Sequence, residues 1–297
     1  MVANISKTDA ILPNRLVVKI GSSLIVGEDG CAREAWLKTL AHDISERRKR
    51  GQQIIIVSSG AVALGAQKLG ASARDSLTNS QASAAIGQIM LASLWTDILA
   101  QEDLVAAQIL LTLDDLEDRR RYLSIASTLE KLLQTDAIPI INENDSVATN
   151  EIRYGDNDRL SSRIAQAANA DQIILLSDVD GFYDRDPQDS DAQIINHIYD
   201  IDDTIKNAAQ SSSSSGIGSG GMTSKIEAAQ TAMSSGIDLI IASGKCDHPL
   251  AKVDGGEQHS IFHRHENIDA DSGQKKWLNG LVHASGEITI DLSLIHI

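Results

Sequence analysis

Residues 142–158 read NENDSVATNEIRYGDND and directly follow the apolar run Ala137-Ile138-Pro139-Ile140-Ile141. Five carboxylates (Glu143, Asp145, Glu151, Asp156, Asp158), four asparagines and Arg153 gather where a buried strand should end. The plain reading is a solvated acidic loop. Such loops are usually rich in Lys, Ser and Pro, whereas this stretch is dominated by side chains that hold fixed hydrogen-bond geometry. A carboxylate-rich pocket suits an ammonium group, and asparagine amides with Arg153 suit a carboxylate. That combination would recognise an amino acid.

A second stretch, residues 211–225, reads SSSSSGIGSGGMTSK. Its serine run reads as a mobile flap. Beyond it, Gly218, Gly220 and Gly221 precede a helix that holds Lys225 in its first turns. Glycines let a backbone approach phosphate closely, a helix N-terminus favours negative charge, and lysine adds a mobile cation. The pattern G-x-x-x-x-G-K-[ST] is not met, which disfavours a P-loop fold. Two smaller features stay open on residue grounds. Lys19 is either an ordinary strand-end lysine or a phosphate ligand, and Ser59 with Gly60 either caps a helix or offers N–H groups to an anion. A calcium loop beginning at Asp178 fails, because its sixth position is Tyr183 and no glutamate stands at the twelfth.

The elements that must position these groups alternate. Strands are expected at 15–20, 53–57, 104–110, 137–141, 172–177 and 239–242. Helices are expected at 33–50, 61–69, 76–96, 122–134 and 159–168, with another carrying Met222, Ile226, Ala229 and Met233 on one face. Strands apolar on both faces that alternate with amphipathic helices imply a mainly parallel sheet covered on both sides. The segments Gly21-Ser22-Ser23, Ser58-Ser59-Gly60, Asn142 to Asp145 and Ser177 to Gly181 each follow a strand. All should therefore lie along the carboxyl edge, where open α/β sheets bind ligands.

Composition narrows the class. At 297 residues with 42% hydrophobic and 3% aromatic content, the chain can build a large aliphatic core. A net charge of −15 disfavours nucleic acid and anionic membrane as partners. Arg47-Arg48-Lys49-Arg50 ends a helix, where positive charge complements the dipole, and reads as structural. Cys31 and Cys246 lack metal spacing and read as reduced thiols of a cytoplasmic protein. The uncharged stretch 76–96 contains Asn79, Gln81, Ser83, Gln88 and Ser93, too polar for a spanning helix, and is expected in a core or a subunit interface.

With these residues in hand, the chain resembles the amino acid kinase family from about residue 15 to residue 264. The resemblance is carried by VVKIGSS, IVSSGAVALG, SAAIGQ, INENDSVAT, EIRYGDND, LLSDVDGFYDRDP and GSGGMTSK. It implies a three-layer α/β/α sandwich around a mainly parallel sheet. It is closest to the branch of the family that uses ATP to phosphorylate the side-chain carboxylate of L-glutamate, at the head of proline synthesis. By the same resemblance Lys19, Ser177, Asp178, Ser219, Gly220, Gly221, Met222, Thr223, Ser224 and Lys225 match nucleotide positions, and Ser59, Asp145 and Asn157 match glutamate positions. Lys19 and Lys225 are expected on the transferring phosphoryl group, with Asp158 holding both lysines. Mg2+ would arrive with the ATP phosphates, proline is expected as a feedback inhibitor, and a homo-oligomer is implied. The expected kinase domain is 1–264. Residues 265–297 resemble only the opening of a PUA domain, through Lys275 to Gly280 and Gly286 to Asp291.

Overall fold

Runs such as RLVVKI, QIIIVS and QIILLS have no polar face, so they are stable as strands only when helices cover both sides. The computed structural model describes residues 14–70, 75–147, 157–212 and 221–265, and in it these runs form the centre of one sheet. In chain order the elements are β1 (Arg15–Ile20), α1 (Ser22–Ile25), α2 (Glu34–Lys49), β2 (Gln53–Ser58), α3 (Ala61–Leu69), α4 (Leu77–Ala100), β3 (Ala106–Leu111), α5 (Leu113–Glu117) and α6 (Arg119–Gln134). They continue with β4 (Ile138–Glu143), a 3-10 turn (Asp145–Val147), α7 (Asn157–Ala167), β5 (Gln172–Ser177), β6 (His197–Ile198), α8 (Asp203–Ser212), α9 (Met222–Ser234), β7 (Asp238–Ser243), α10 (Pro249–Asp254) and β8 (His259–Phe262).

The sheet has eight strands in the order β3-β4-β2-β1-β5-β7-β8-β6 and is parallel except between β7 and β8. Alternate side chains go to opposite layers. Val17, Ile55, Val57, Ile173 and Leu175 pack with residues of α6, α7 and α9, while Leu16, Val18, Ile54, Ile56 and Ile174 pack with residues of α2 and α4. The expected α/β/α sandwich is therefore present. Lys19 shares the parity of Val17, which turns it toward the layer of α7 and α9.

Where boundaries differ from expectation, local chemistry accounts for it. The third strand starts at Ala106 rather than 104, because Asp103 takes a left-handed turn (φ 58°) and the Leu104 N–H still closes the end of α4 on the Leu99 carbonyl. The helix expected from 159 begins at Asn157, which puts Asp158 in its first turn. β8 and the two-residue β6 were not expected at all. Beyond β8, the Arg264 N–H bonds the Asp238 carboxylate at 2.8 Å. The PUA-like residues 266–297 and residues 213–220 of the serine- and glycine-rich stretch lie outside the described residues, while Ser211 and Ser212 end α8.

Helix α4 is long and apolar enough to cross a membrane by length and composition alone. Its Ser83, Gly87, Leu91 and Trp95 are buried, however, and it crosses α3 at van der Waals contact of the backbones, as a core helix does. A Cβ on Gly65 would lie 1.8 Å from the Ser83 carbonyl oxygen, and one on Gly87 would lie 1.7 Å from that of Ala61. The two glycines thus face each other's helices and set the helix separation. Gly65→Ala should destabilise the chain by about 1–3 kcal/mol in urea denaturation, because overpacking outweighs the better helix propensity of alanine. A neutral or stabilising result would show that the helices can part without cost.

Candidate active site

Asp158 is completely buried in the first turn of α7 and lies between two lysines that are themselves buried. Its Oδ1 is 2.6 Å from Lys19 Nζ at the end of β1, and its Oδ2 is 3.1 Å from Lys225 Nζ in the first turns of α9. Ser224 Oγ donates to the same Oδ2 at 3.1 Å. Burial pushes the Asp158 carboxyl up, but the two ammonium groups outweigh it and hold the group below the usual carboxylate range. Burial, with Lys225 adding to it, lowers Lys19 against the pull of Asp158. Two ammonium groups share one buried carboxylate, and Asp178 at the end of β5 also draws on Lys19. Such a site is suited to phosphate oxygens.

Several contacts between α7 and α9 hold that geometry. Arg159 Nε donates to Glu227 Oε2 at 2.8 Å, Ser162 Oγ to the Ala228 carbonyl at 2.8 Å, and Gln166 Nε2 to Ser235 Oγ at 2.5 Å. The helices are pinned along their length, so Lys225 cannot slide past Asp158. The N-terminus of α9, at Gly221, opens at the same carboxyl edge. Ser177 and Asp178 end the neighbouring strand β5, joined by a 3.1 Å hydrogen bond from Ser177 Oγ to Asp178 Oδ1. Met222 is buried, Thr223 is exposed, and Ser219 and Gly220 lie outside the described residues.

One residue before Asp158, Asn157 belongs to a second group. Its Nδ2 donates to Ser59 Oγ at 2.7 Å, to Asn142 Oδ1 at 3.1 Å and to the Ser58 carbonyl at 3.4 Å. Ser59 Oγ accepts this bond, and the N-cap of α3 is Gly60 at φ 100°, with no side-chain cap. The Oδ1 of Asn157 is buried and has no hydrogen-bond partner among the described residues. Asp145, in the 3-10 turn after β4, lines a cavity of about 220 Å³ together with Gln88, Gln108, Leu110 and Glu143. Desolvation there pushes its carboxyl up to about 6. Arg153, Glu151 and Asp156 of the acidic stretch lie outside the described residues.

The structure brings Lys19, Asp158 and Lys225 together, and Ser59 with Asn157. The sequence reading counted Asn142 among the amides suited to a carboxylate but gave no role to Gln88, whose Oε1 accepts from Asn142 Nδ2 at 2.8 Å. The available signal was the motif SAAIGQ, whose glutamine interrupts an apolar stretch that continues through Ile89, Met90 and Leu91. It also missed Trp95, whose indole N–H donates to Ser58 Oγ at 2.9 Å and braces the turn after β2.

A family model described as the amino acid kinase family matches residues 14–243. The glutamate 5-kinase of Sphingopyxis alaskensis is 52% identical over 283 residues, spanning 95% of this chain and 75% of that protein. That of Zymomonas mobilis is 50% identical over 280 residues, spanning 93% and 70% respectively. Among solved structures, carbamate kinase from Giardia lamblia bound to AMP-PNP aligns with a TM-score of 0.60 at 14% identity, over 85% of this chain and 99% of that one. UMP kinase from Ureaplasma parvum aligns with a TM-score of 0.56 at 17% identity, over 86% of this chain and all of the other. At those identities the two structures speak to fold alone.

Asp145 provides a test that needs no substrate. Its folded pKa of about 6 lies above the ordinary 3.8, so its contribution to stability is complete below 3.8 and is lost as pH rises through 6. Asp145→Asn should therefore be more stable than the parent at pH 8, by on the order of 1–3 kcal/mol, with the gap narrowing toward pH 4. Urea denaturation at both pH values checks this, and a gap independent of pH would contradict the burial of the charge.

Proposed function

The chain belongs to the amino acid kinase family and, within it, to the glutamate 5-kinases, and on that premise we propose how its site performs the reaction. The γ-phosphoryl group of ATP passes to the side-chain carboxylate of L-glutamate, yielding L-glutamyl 5-phosphate and ADP, the step that opens proline synthesis. One carboxylate oxygen forms a bond to the γ-phosphorus as the bond to the ADP oxygen breaks. That oxygen is already a nucleophile. No proton has to be removed, so the protein's work is alignment and charge compensation.

The observation that carries the site reading is the buried Lys19–Asp158–Lys225 arrangement, two ammonium groups on one carboxylate. Lys19 and Lys225 act on the transferring phosphoryl group, and Asp158 holds both ammonium groups in place. Ser177, Asp178 and the segment Ser219 to Lys225 receive the nucleotide at the start of α9. A bound Mg2+ would add charge compensation at the phosphates. It fits best as part of the nucleotide complex, since both oxygens of Asp158 are already taken by lysine. Ser59, Asp145 and Asn157 receive glutamate, with Asp145 and Asn157 Oδ1 on its ammonium. An arriving cation relieves the desolvated Asp145 carboxylate, which supports this division. Asn157 and Asp158 are consecutive, so acceptor recognition and phosphoryl alignment meet in one helical turn.

We further read residues 1–264 as the kinase domain of a cytoplasmic homo-oligomer. The exposed apolar side chain Val105, beside the β3 edge, supports self-association. ATP consumption measured across glutamate, aspartate, N-acetylglutamate and UMP tests the assignment, and a preference for any acceptor but glutamate would overturn it.

Lys225→Ala should lower kcat by on the order of 10² to 10³ with little change in the KM for glutamate, as expected for a contact worth most in the transition state. An unchanged kcat would remove Lys225 from the reaction. Proline keeps the ammonium and α-carboxylate that the acceptor pocket reads, so its inhibition should be relieved by saturating glutamate. Inhibition that persists at saturation would place proline elsewhere.

A further inference from the structure

Gln88 lies midway along α4, next to the glycine that seats this helix on α3, and the reading above gives it no task. Its Oε1 accepts from Asn142 Nδ2 at 2.8 Å, Asn142 Oδ1 accepts from Asn157 Nδ2 at 3.1 Å, and Asn157 Nδ2 continues to Ser59 Oγ at 2.7 Å. Every amide in this chain therefore points its NH2 toward the previous acceptor. The group left over is Asn157 Oδ1, buried and without a partner among the described residues.

The two ends of an asparagine amide have nearly the same shape and opposite hydrogen-bonding character, so neighbours decide which end faces a ligand. Presented the other way round, Asn157 would offer N–H groups to a substrate ammonium, which repels them. The Ser58 carbonyl holds the correct sense from one side, at the long distance of 3.4 Å. From the other side Asn142 Oδ1 accepts from the same NH2, and Asn142 in turn donates to Gln88 Oε1. Gln88 also lines the cavity that contains Asp145, so its side chain borders the pocket it would organise.

We propose that Gln88 is a positioning residue that determines acceptor specificity: by fixing the direction of the Gln88–Asn142–Asn157 amide chain, it makes Asn157 present a carbonyl oxygen to the ammonium of glutamate. The proposal rests on the reading of Asn157 as an acceptor-site residue. It goes beyond that reading in naming what orients the amide and what is lost when the orientation is free.

The experiment compares glutamate with glutarate, the same dicarboxylate without the ammonium, as acceptors or as competitors for glutamate turnover. Gln88→Met keeps length and apolar packing but removes the acceptor, whereas Gln88→Glu keeps an oxygen that can only accept. Gln88→Met should raise the KM for glutamate about 5- to 10-fold, the scale of one neutral hydrogen bond, with kcat, the KM for ATP and the response to glutarate within about twofold of the parent. The preference for glutamate over glutarate then narrows by the same factor, and Gln88→Glu restores it to within about twofold. Equal losses on both acceptors, or a Gln88→Glu enzyme that behaves like Gln88→Met, would overturn the proposal in favour of a packing role. A parent enzyme that treats glutamate and glutarate alike would overturn the ammonium contact at Asn157 itself, and the role of Gln88 with it.

Discussion

A carboxylate with no exposure at all, holding two lysines at the end of a parallel sheet, is the constraint around which this molecule is built. Removing an ammonium group from water is costly, and burial of one partner without the other typically costs several kcal/mol. Lys19, Asp158 and Lys225 come from β1, α7 and α9, so the ion cluster forms only when three distant segments are in register. The same cluster gathers two ammonium groups at the carboxyl edge of the sheet. Its stability and the phosphoryl role proposed for its lysines thus have one origin.

That requirement explains the polar interior of α7. A helix between a sheet and another helix would ordinarily be aliphatic, yet Ser161, Ser162, Arg163 and Gln166 are all buried here. Arg163 donates to the Leu116 carbonyl at 3.0 Å and to Gln166 at 2.8 Å, and Gln166 continues to Ser235 on α9. Apolar packing tolerates small sliding motions, whereas directional hydrogen bonds do not. The polar seam converts a loose helix pair into one with a defined offset, and the offset is what brings Lys225 Nζ to Asp158.

Much of this was legible in the sequence because it depended on local signals. The strands β1, β2, β4, β5 and β7 are continuous aliphatic runs, and small polar residues at their ends marked the ligand edge. The glycines before Lys225 and the acids before Asp158 pointed to the two halves of the site. β6 and β8 were missed because they are short and interspersed with His197, His259 and Ser260, so they carry no apolar run and are strands only through their partners. Gln88 was missed for a related reason. A single amide on an apolar helix has no periodicity, and its value comes entirely from Asn142, 54 positions away.

Strand β1 has a position whose effect reaches back before the native state exists. In the sheet order, β2, β3 and β4 lie on one side of it, and β5 to β8 lie on the other. A nascent chain can therefore assemble the first four strands while β1 still has a bare edge, which only residues 172–177 can cover. During that interval Lys19 has neither Lys225 nor a settled Asp158 beside it, and an exposed apolar edge invites pairing with other chains. Lys19 then places a charge at the end of that unpaired edge, of the kind that discourages strand addition. The lysine that pairs with Asp158 in the folded chain thus sits at the end of the edge that is covered last.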